Sequence, residues 1–122
     1  MQQFRCVIIE SPYKGLTGSD EEVANNLEYL RACMADAFRR GEAPYASHGL
    51  YTQPGVLNDQ IPEERKRGME AGFAWGERAD ARMVYMDLGI YEGMLEGILR
   101  AHALGQPVLC KWLCTPWLDI EI

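Results

Sequence analysis

FRCVIIE at residues 4–10, closed by Ser11-Pro12, is a short apolar, β-branched run. It reads as a buried strand that stops where proline pushes the preceding residue out of helical geometry and into a loop. Outward from it the pattern alternates. Lys14-Gly15-Leu16-Thr17-Gly18 is a loop by its glycines, and Ser19-Asp20-Glu21-Glu22 is a capping-box signature, a hydroxyl three residues before a carboxylate. Val23, Leu27, Leu30, Met34 and Phe38 then fall on one helical face, and Gly41 stops the helix. Residues 43–47 form a short second strand, and residues 47–60 (SHGLYTQPGVLNDQ) carry the turn chemistry of a long surface loop.

Pro62 sits where a second helix begins, with Glu63 and Glu64 in its first turn. Gly68, Gly72 and Gly76 follow at intervals of four. Each costs a helix roughly 1 kcal/mol against alanine, so the stripe points to a close backbone approach by a strand, a helix or a ligand. Residues 82–87 (RMVYMD) read as a third strand, residues 93–104 as a third helix, and residues 108–113 as a fourth strand after the Gly105-Gln106-Pro107 break. The order β-α-β-α-β-α-β with right-handed crossovers predicts an α/β fold. It is one Rossmann-like domain over residues 1–122, a parallel sheet with helices on both faces.

The composition bounds the function. The chain has 122 residues, 48% hydrophobic and 25% charged, which is globular rather than disordered. No apolar run approaches the ~18–20 residues of a bilayer span, and MQQFRCVIIE lacks the pattern of a secretory signal. The net charge of −6 and pI near 4.9 argue against a general nucleic-acid coat. A cytoplasmic protein without nucleic-acid or membrane partners is expected. Cys6 and Cys33 lie in strand and helix patterns and read as buried small hydrophobes. Cys110 and Cys114 have no second pair at zinc-site spacing, so reduced structural thiols and no metal or other cofactor are expected.

In an open parallel sheet, ligands bind beyond the carboxyl ends of the strands, at the switch in strand order. The residues there are Ser11, Pro12, Tyr13 and Gly15 after the first strand, and Ser47 and His48 after the second. Asp87, Gly89, Tyr91, Glu92, Gly93 and Met94 follow the third. The Gly15–Gly18 loop before a helix offers free backbone N–H groups to a phosphate or sugar hydroxyl. His48 is either a satisfied loop histidine or a hydrogen-bond partner of a ligand. Asp87 is either a functional carboxylate or an N-cap or Asx-turn residue. Arg65 is either a solvated charge or an anion partner, and Trp75 at helical spacing reads as core. His102, late in its helix, complements the helix dipole. Neither a Walker motif nor G-x-G-x-x-G is present.

Taken together, S-P-Y-K-G, N-N-L-E-Y-L, A-P-Y-A-S-H, the Trp75-x4-Ala79-Asp80 segment and D-L-G-I-Y-E-G-M-x6-A-x3-G-Q-P-V resemble the nucleoside 2-deoxyribosyltransferase-like superfamily. The likeness is in particular to a small branch found in bacteria and phages, and it covers nearly the whole chain in order. It implies cleavage or transfer at an N-glycosidic bond through a carboxylate nucleophile and a sugar–enzyme intermediate, the logic of retaining glycosidases. The sequence departs from the superfamily pattern at two places. The nucleophile position is Gly97, between Gly93 and Ala101 of the motif, and the sugar-binding acid position is Gly72. Glu96 and Glu70 are one and two residues away, and ~100° of rotation per residue points them elsewhere.

Asp87 and Glu92 are therefore the expected catalytic carboxylates. Two glycines in place of acids imply a larger, less negative pocket, suited to a bulkier or more anionic ligand. Two functions stay open: an N-glycosidase or deoxyribosyltransferase-type enzyme acting on a small nucleoside or nucleotide, or a nucleotide sensor or sequestering protein without the chemistry. The resemblance also implies a homodimer or larger homo-oligomer. The tryptophans of the tail, Trp112 and Trp117, either close the core or anchor an interface.

Overall fold

The computed structural model describes residues 4–122; the part of the signal-sequence reading that falls on residues 1–3 lies outside the described residues. The elements are β1 (Arg5–Glu10), α1 (Asp20–Arg39), β2 (Glu42–Tyr45), α2 (Ser47–Leu50), α3 (Pro62–Gly76), β3 (Ala81–Tyr85), α4 (Glu92–Ala103), β4 (Val108–Lys111) and β5 (Asp119–Glu121). One mixed sheet runs in the order β2-β1-β3-β4-β5. Strands β1 to β4 are parallel, and β5 pairs antiparallel with β4. The chain leaves β1 toward β2 and returns across it to β3, so the switch in strand order lies between β1 and β3.

The side-chain period of two sorts the strands onto two layers. Val7, Ile9, Ala81, Met83 and Tyr85 pack with Leu30, Cys33 and Ala37 of α1. Val84, Val108 and Cys110 pack with Met94, Ile98 and Ala101 of α4 on the opposite face. Ile8 and Arg82 meet Gly76 of α3, and Glu10 meets Gly97 of α4, so these polar residues belong to the α3–α4 layer. Ser19 caps α1 by accepting from the Glu22 N–H at 3.1 Å. This is half of the expected capping box, because the Glu22 carboxylate turns toward the preceding loop instead.

Several expectations change. The segment expected as a loop from residue 47 opens with the short helix α2, and the tail adds the antiparallel strand β5 to a sheet expected to be wholly parallel. Its own strand pattern is only three residues long. Trp112 packs against the α4-side core, whereas Trp117 remains 82% exposed. Trp75, read as core, is an exposed residue of α3 whose ring lies 6.1 Å from that of Tyr45. Cys6, expected to be buried, is exposed, while Cys33 and Cys110 are buried.

A buried polar contact ties the α1 layer to the sheet. The Tyr85 hydroxyl donates to Asp36 Oδ2 at 2.8 Å, and Arg40 Nε donates to the same oxygen at 2.9 Å. Hydrogen bonds to charged groups contribute about 1.5–3 kcal/mol. Tyr85→Phe is therefore expected to lower stability by that amount, read from the denaturant midpoint at unchanged slope. An unchanged midpoint would show that this hydrogen bond does not tie α1 to the sheet.

Candidate functional site

A cavity of about 220 Å³ opens at the carboxyl edge of the sheet, beside the switch point. The end of β1 contributes Glu10, Ser11 and Pro12, and the loop after it contributes Tyr13, Lys14 and Gly15. Ser47 and His48 enter from α2, and Tyr51, Leu57 and Asp59 from the following loop. Helix α3 supplies Glu64, Arg65, Gly68, Met69, Gly72 and Phe73, and Tyr91, Glu92, Gly93 and Met94 close the far side at the start of α4. Of the residues expected from sequence, only Asp87 and Gly89 lie off the lining.

Asp87 is engaged elsewhere. Its carboxylate accepts from the Tyr29 hydroxyl at 2.6 Å, the Leu113 N–H at 2.9 Å and the Cys114 N–H at 3.1 Å. Burial alone would raise its pKa, but these hydrogen bonds hold it below the ordinary value. Its acceptor sites are spent on fixing the segment after β4 to α1. Gly89 forms a tight turn at φ +90, its N–H donating to the Met86 carbonyl. Strand-end position alone thus overestimated these two residues.

The loop after β1 also differs from expectation. Its N–H groups are not free, because Glu22 curls back under them. The N–H groups of Leu16 and Thr17 donate to its carboxylate at 2.8 and 2.7 Å, that of Gly18 at 3.3 Å, and the Thr17 hydroxyl at 2.6 Å. A carboxylate of the chain itself occupies the anion position that the loop offers. Gly15 is required for this, at φ +66 with Glu22 packed where its Cβ would stand. The Thr17 hydroxyl and the backbone donors bring the Glu22 carboxyl down to about 2.

The glycine stripe of α3 meets protein on each turn. A Cβ on Gly76 would lie 2.6 Å from Arg82 Nη2, one on Gly72 would lie 2.5 Å from Ser47 Oγ, and one on Gly68 would lie 3.3 Å from Leu57 Cδ1. On α4, a Cβ on Gly97 would overlap Glu10 Oε2 and lie 2.8 Å from Arg82 Nη1. Gly72 and Gly97, where the resemblance implies acids, are therefore not beside empty space. Ser47 Oγ lies against one and the Glu10 carboxylate against the other.

Two polar pairs form the cavity floor. Arg82 Nη1 donates to Glu10 Oε2 at 2.7 Å, with the side chains only 3% and 12% exposed. Burial raises the Glu10 carboxyl to about 7, against the lowering pull of the Arg82 charge. Beside it Ser11 Oγ and His48 Nε2 share a hydrogen bond at 2.8 Å. Burial lowers His48 to about 4, so its imidazole is neutral at physiological pH. At the mouth, Lys14 Nζ and Arg65 Nη1 stand 3.6 and 3.7 Å from Asp59 Oδ2, loose pairs that leave both cations available. Among the described residues no group of three or more His, Cys, Asp or Glu is placed to hold a metal ion.

Sequence reasoning missed Glu10, Arg82 and Asp59. Glu10 was legible in principle, as an acid at the carboxyl end of a parallel strand, in phase with Ile8. Arg82, a lone arginine opening a strand, called for a buried acid as its partner.

A family model described as a domain of unknown function (DUF7768) matches residues 5–111, and the chain belongs to that family. No curated protein matches it. Among solved structures it is similar to a 2-deoxyribosyltransferase from the psychrotolerant bacterium Bacillus psychrosaccharolyticus, described as a biocatalyst for the synthesis of antiviral and antitumoral nucleosides. The TM-score is 0.59 at 17% identity, over 94% of this chain and 76% of that one. The two share a fold, as the sequence motifs implied. Among the described residues no helix is long and apolar enough to cross a membrane.

Two outcomes follow from the carboxylates. Asp87→Asn is expected to lower the melting temperature, since an amide cannot accept from Tyr29, Leu113 and Cys114 together, while ligand affinity stays unchanged. Loss of affinity at unchanged stability would restore Asp87 to the site. For Glu22 the folded pKa of about 2 lies below the ordinary 4.5. Its contribution is complete above the unfolded value and is lost as pH falls through that window. Glu22→Gln should therefore destabilise the protein at neutral pH and flatten the fall in stability between pH 4.5 and 2; a curve parallel to wild type would contradict this.

Proposed function

We propose that the protein binds a single nucleoside or mononucleotide in this cavity and acts at its N-glycosidic bond. The observation that carries the reading is the ordering of the cavity's chemistry from floor to mouth. A buried carboxylate with the Ser11–His48 pair at the floor suits a sugar and its anomeric carbon. Aromatic and thioether walls, Tyr13, Tyr91, Met69 and Met94, suit the faces of a base. Lys14 and Arg65 at the mouth suit a phosphate. The shared fold with a 2-deoxyribosyltransferase supports the same class of ligand.

The cavity of about 220 Å³ adjoins a second of about 480 Å³ along Tyr13, Lys14, Leu57 and Asp59, so a ligand seated on the floor has room to extend at the mouth. Arg65 is the phosphate partner in this reading, held only at 3.7 Å from Asp59 and free to exchange it. The second reading, a sensor or sequestering protein without turnover, draws on Gly97 and Gly72 in place of acids and on Asp87 being consumed in a structural contact.

Arg65→Ala is expected to weaken binding of a nucleoside 5′-monophosphate about tenfold, a loss of roughly 1.4 kcal/mol, and to leave the matching nucleoside unchanged. Calorimetric titration of both ligands makes the comparison. Equal effects on the two would remove phosphate from the role of Arg65, and no binding of any nucleoside or nucleotide by the wild type would refute the function.

A further inference from the structure

We propose that Glu10 is the nucleophilic carboxylate of this site, delivered from the end of β1 into the volume that a side chain at position 97 of α4 would otherwise fill. The proposal rests on the nucleoside reading above and names the group that does its chemistry.

Four carboxylates line the cavity, and three are placed for other work. Asp59 faces Lys14 and Arg65 at the mouth. Glu64 accepts from the Asn58 N–H at 3.0 Å and so fixes the loop before α3. Glu92 is exposed in the first turn of α4, at the rim. Glu10 alone sits at the floor, beside the Ser11–His48 pair, and its contact with Arg82 is made by Oε2. The opposite face of that contact is closed by α4, where the absence of a side chain at Gly97 makes the room: an added Cβ would overlap Oε2 and come within 2.7 Å of Cδ. Positions 10 and 97 compete for one volume, and in this chain the carboxylate comes from the strand.

The carboxylate is also held in place. Arg82 Nε lies 3.3 Å from Gln106 Oε1, and the Gln106 amide donates to the carbonyls of Gly76 and Ala79 at 2.8 and 2.9 Å. Gly76 gives the guanidinium its space on α3, as Gly97 does on α4. A group fixed to this degree loses little freedom on reaching a reacting atom, which is the geometric requirement for attack at ~3–3.5 Å. Burial leaves it weakly solvated, with a carboxyl near 7 and hence a substantial ionised fraction at neutral pH.

The step balances without a cofactor. A Glu10 carboxylate oxygen forms a bond to the anomeric carbon as the bond from that carbon to the base nitrogen breaks. The bonding pair leaves with the base, which takes a proton from water. A second water then attacks the anomeric carbon and gives up a proton to solvent. The ester bond breaks with its electron pair returning to Glu10, and the products are the free base and the free sugar.

The test uses the intact chain with purine and pyrimidine nucleosides, 2′-deoxynucleosides and their 5′-monophosphates. Free base is followed by chromatography and binding by calorimetry. The expected result is base release by the wild type and a loss on the order of a hundredfold or more in Glu10→Gln, which keeps the size and an acceptor for Arg82, with affinity preserved within about threefold. Rapid denaturation of the working wild type should leave a sugar ester on the peptide carrying Glu10, a readout that does not depend on how the variant folds. Undiminished release by Glu10→Gln, or an ester on another residue, overturns the assignment and leaves the nucleoside reading standing. Binding without any base release by the wild type overturns the assignment together with the glycosidic step and leaves the second reading, a sensor or sequestering protein. Absence of both binding and release overturns the two together.

Discussion

The guanidinium of Arg82 is a buried charge on β3, 2% exposed, and four elements are arranged around it. It donates to Glu10 at the end of β1 and to Gln106 in the turn before β4, and through Gln106 it reaches the last carbonyls of α3 and the turn beyond it. Helices α3 and α4 carry glycine where they cross it. A buried ion pair contributes little net stability over a well-packed apolar pair, because desolvation offsets the attraction, whereas removing one partner is costly. Stability is therefore a weak reason for placing an arginine and a glutamate in the sheet's α3–α4 layer. Position is a stronger one: the pair fixes a carboxylate at the floor of the cavity and nowhere else.

Gly76 and Gly97 follow from the same constraint, and Gly72 from a close approach by Ser47. Each costs helix stability, and each is matched by a side chain that would otherwise have no room: Arg82 at Gly76, Ser47 at Gly72 and Glu10 at Gly97. Ser47 opens the short helix α2, which brings His48 to Ser11, so the stripe positions half of the cavity floor. At Gly72 and Gly97 the polar group beside the helix comes from another element, Ser47 of α2 and Glu10 of β1.

The layers of the fold were legible because they rest on local patterns. The continuous apolar runs of Val7–Ile9 and Met83–Tyr85 and the helical spacing from Val23 to Phe38 each carry their own signal. The site was legible only in part. Ser11, Ser47, His48 and Tyr91 follow from the rule that ligands gather at strand ends, but the rule could not separate Asp87 from Glu10, since each closes a strand pattern in the sequence. What separates them is tertiary: Tyr29, 58 residues before Asp87, claims its carboxylate, and Arg82, 72 residues after Glu10, holds the other at the cavity. Glu22 was read as a cap for the same reason. Its spacing from Ser19 is that of a capping box, and only the fold of the glycine loop shows the carboxylate turned to Leu16 and Thr17. The strand β5, with three exposed residues, has too short a pattern to announce itself.

The central claim is that a nucleoside sits with its sugar on the Glu10 floor and its base toward α4. A crystal structure of Glu10→Gln bound to the nucleoside that the wild type prefers tests it most directly. The anomeric carbon is expected within ~3.5 Å of the side-chain amide oxygen that the variant carries at position 10, with the sugar hydroxyls at Ser11 and His48 and the base against Tyr91 and Met94. A ligand bound with its sugar at the Lys14–Arg65 mouth, or outside the cavity altogether, would contradict it.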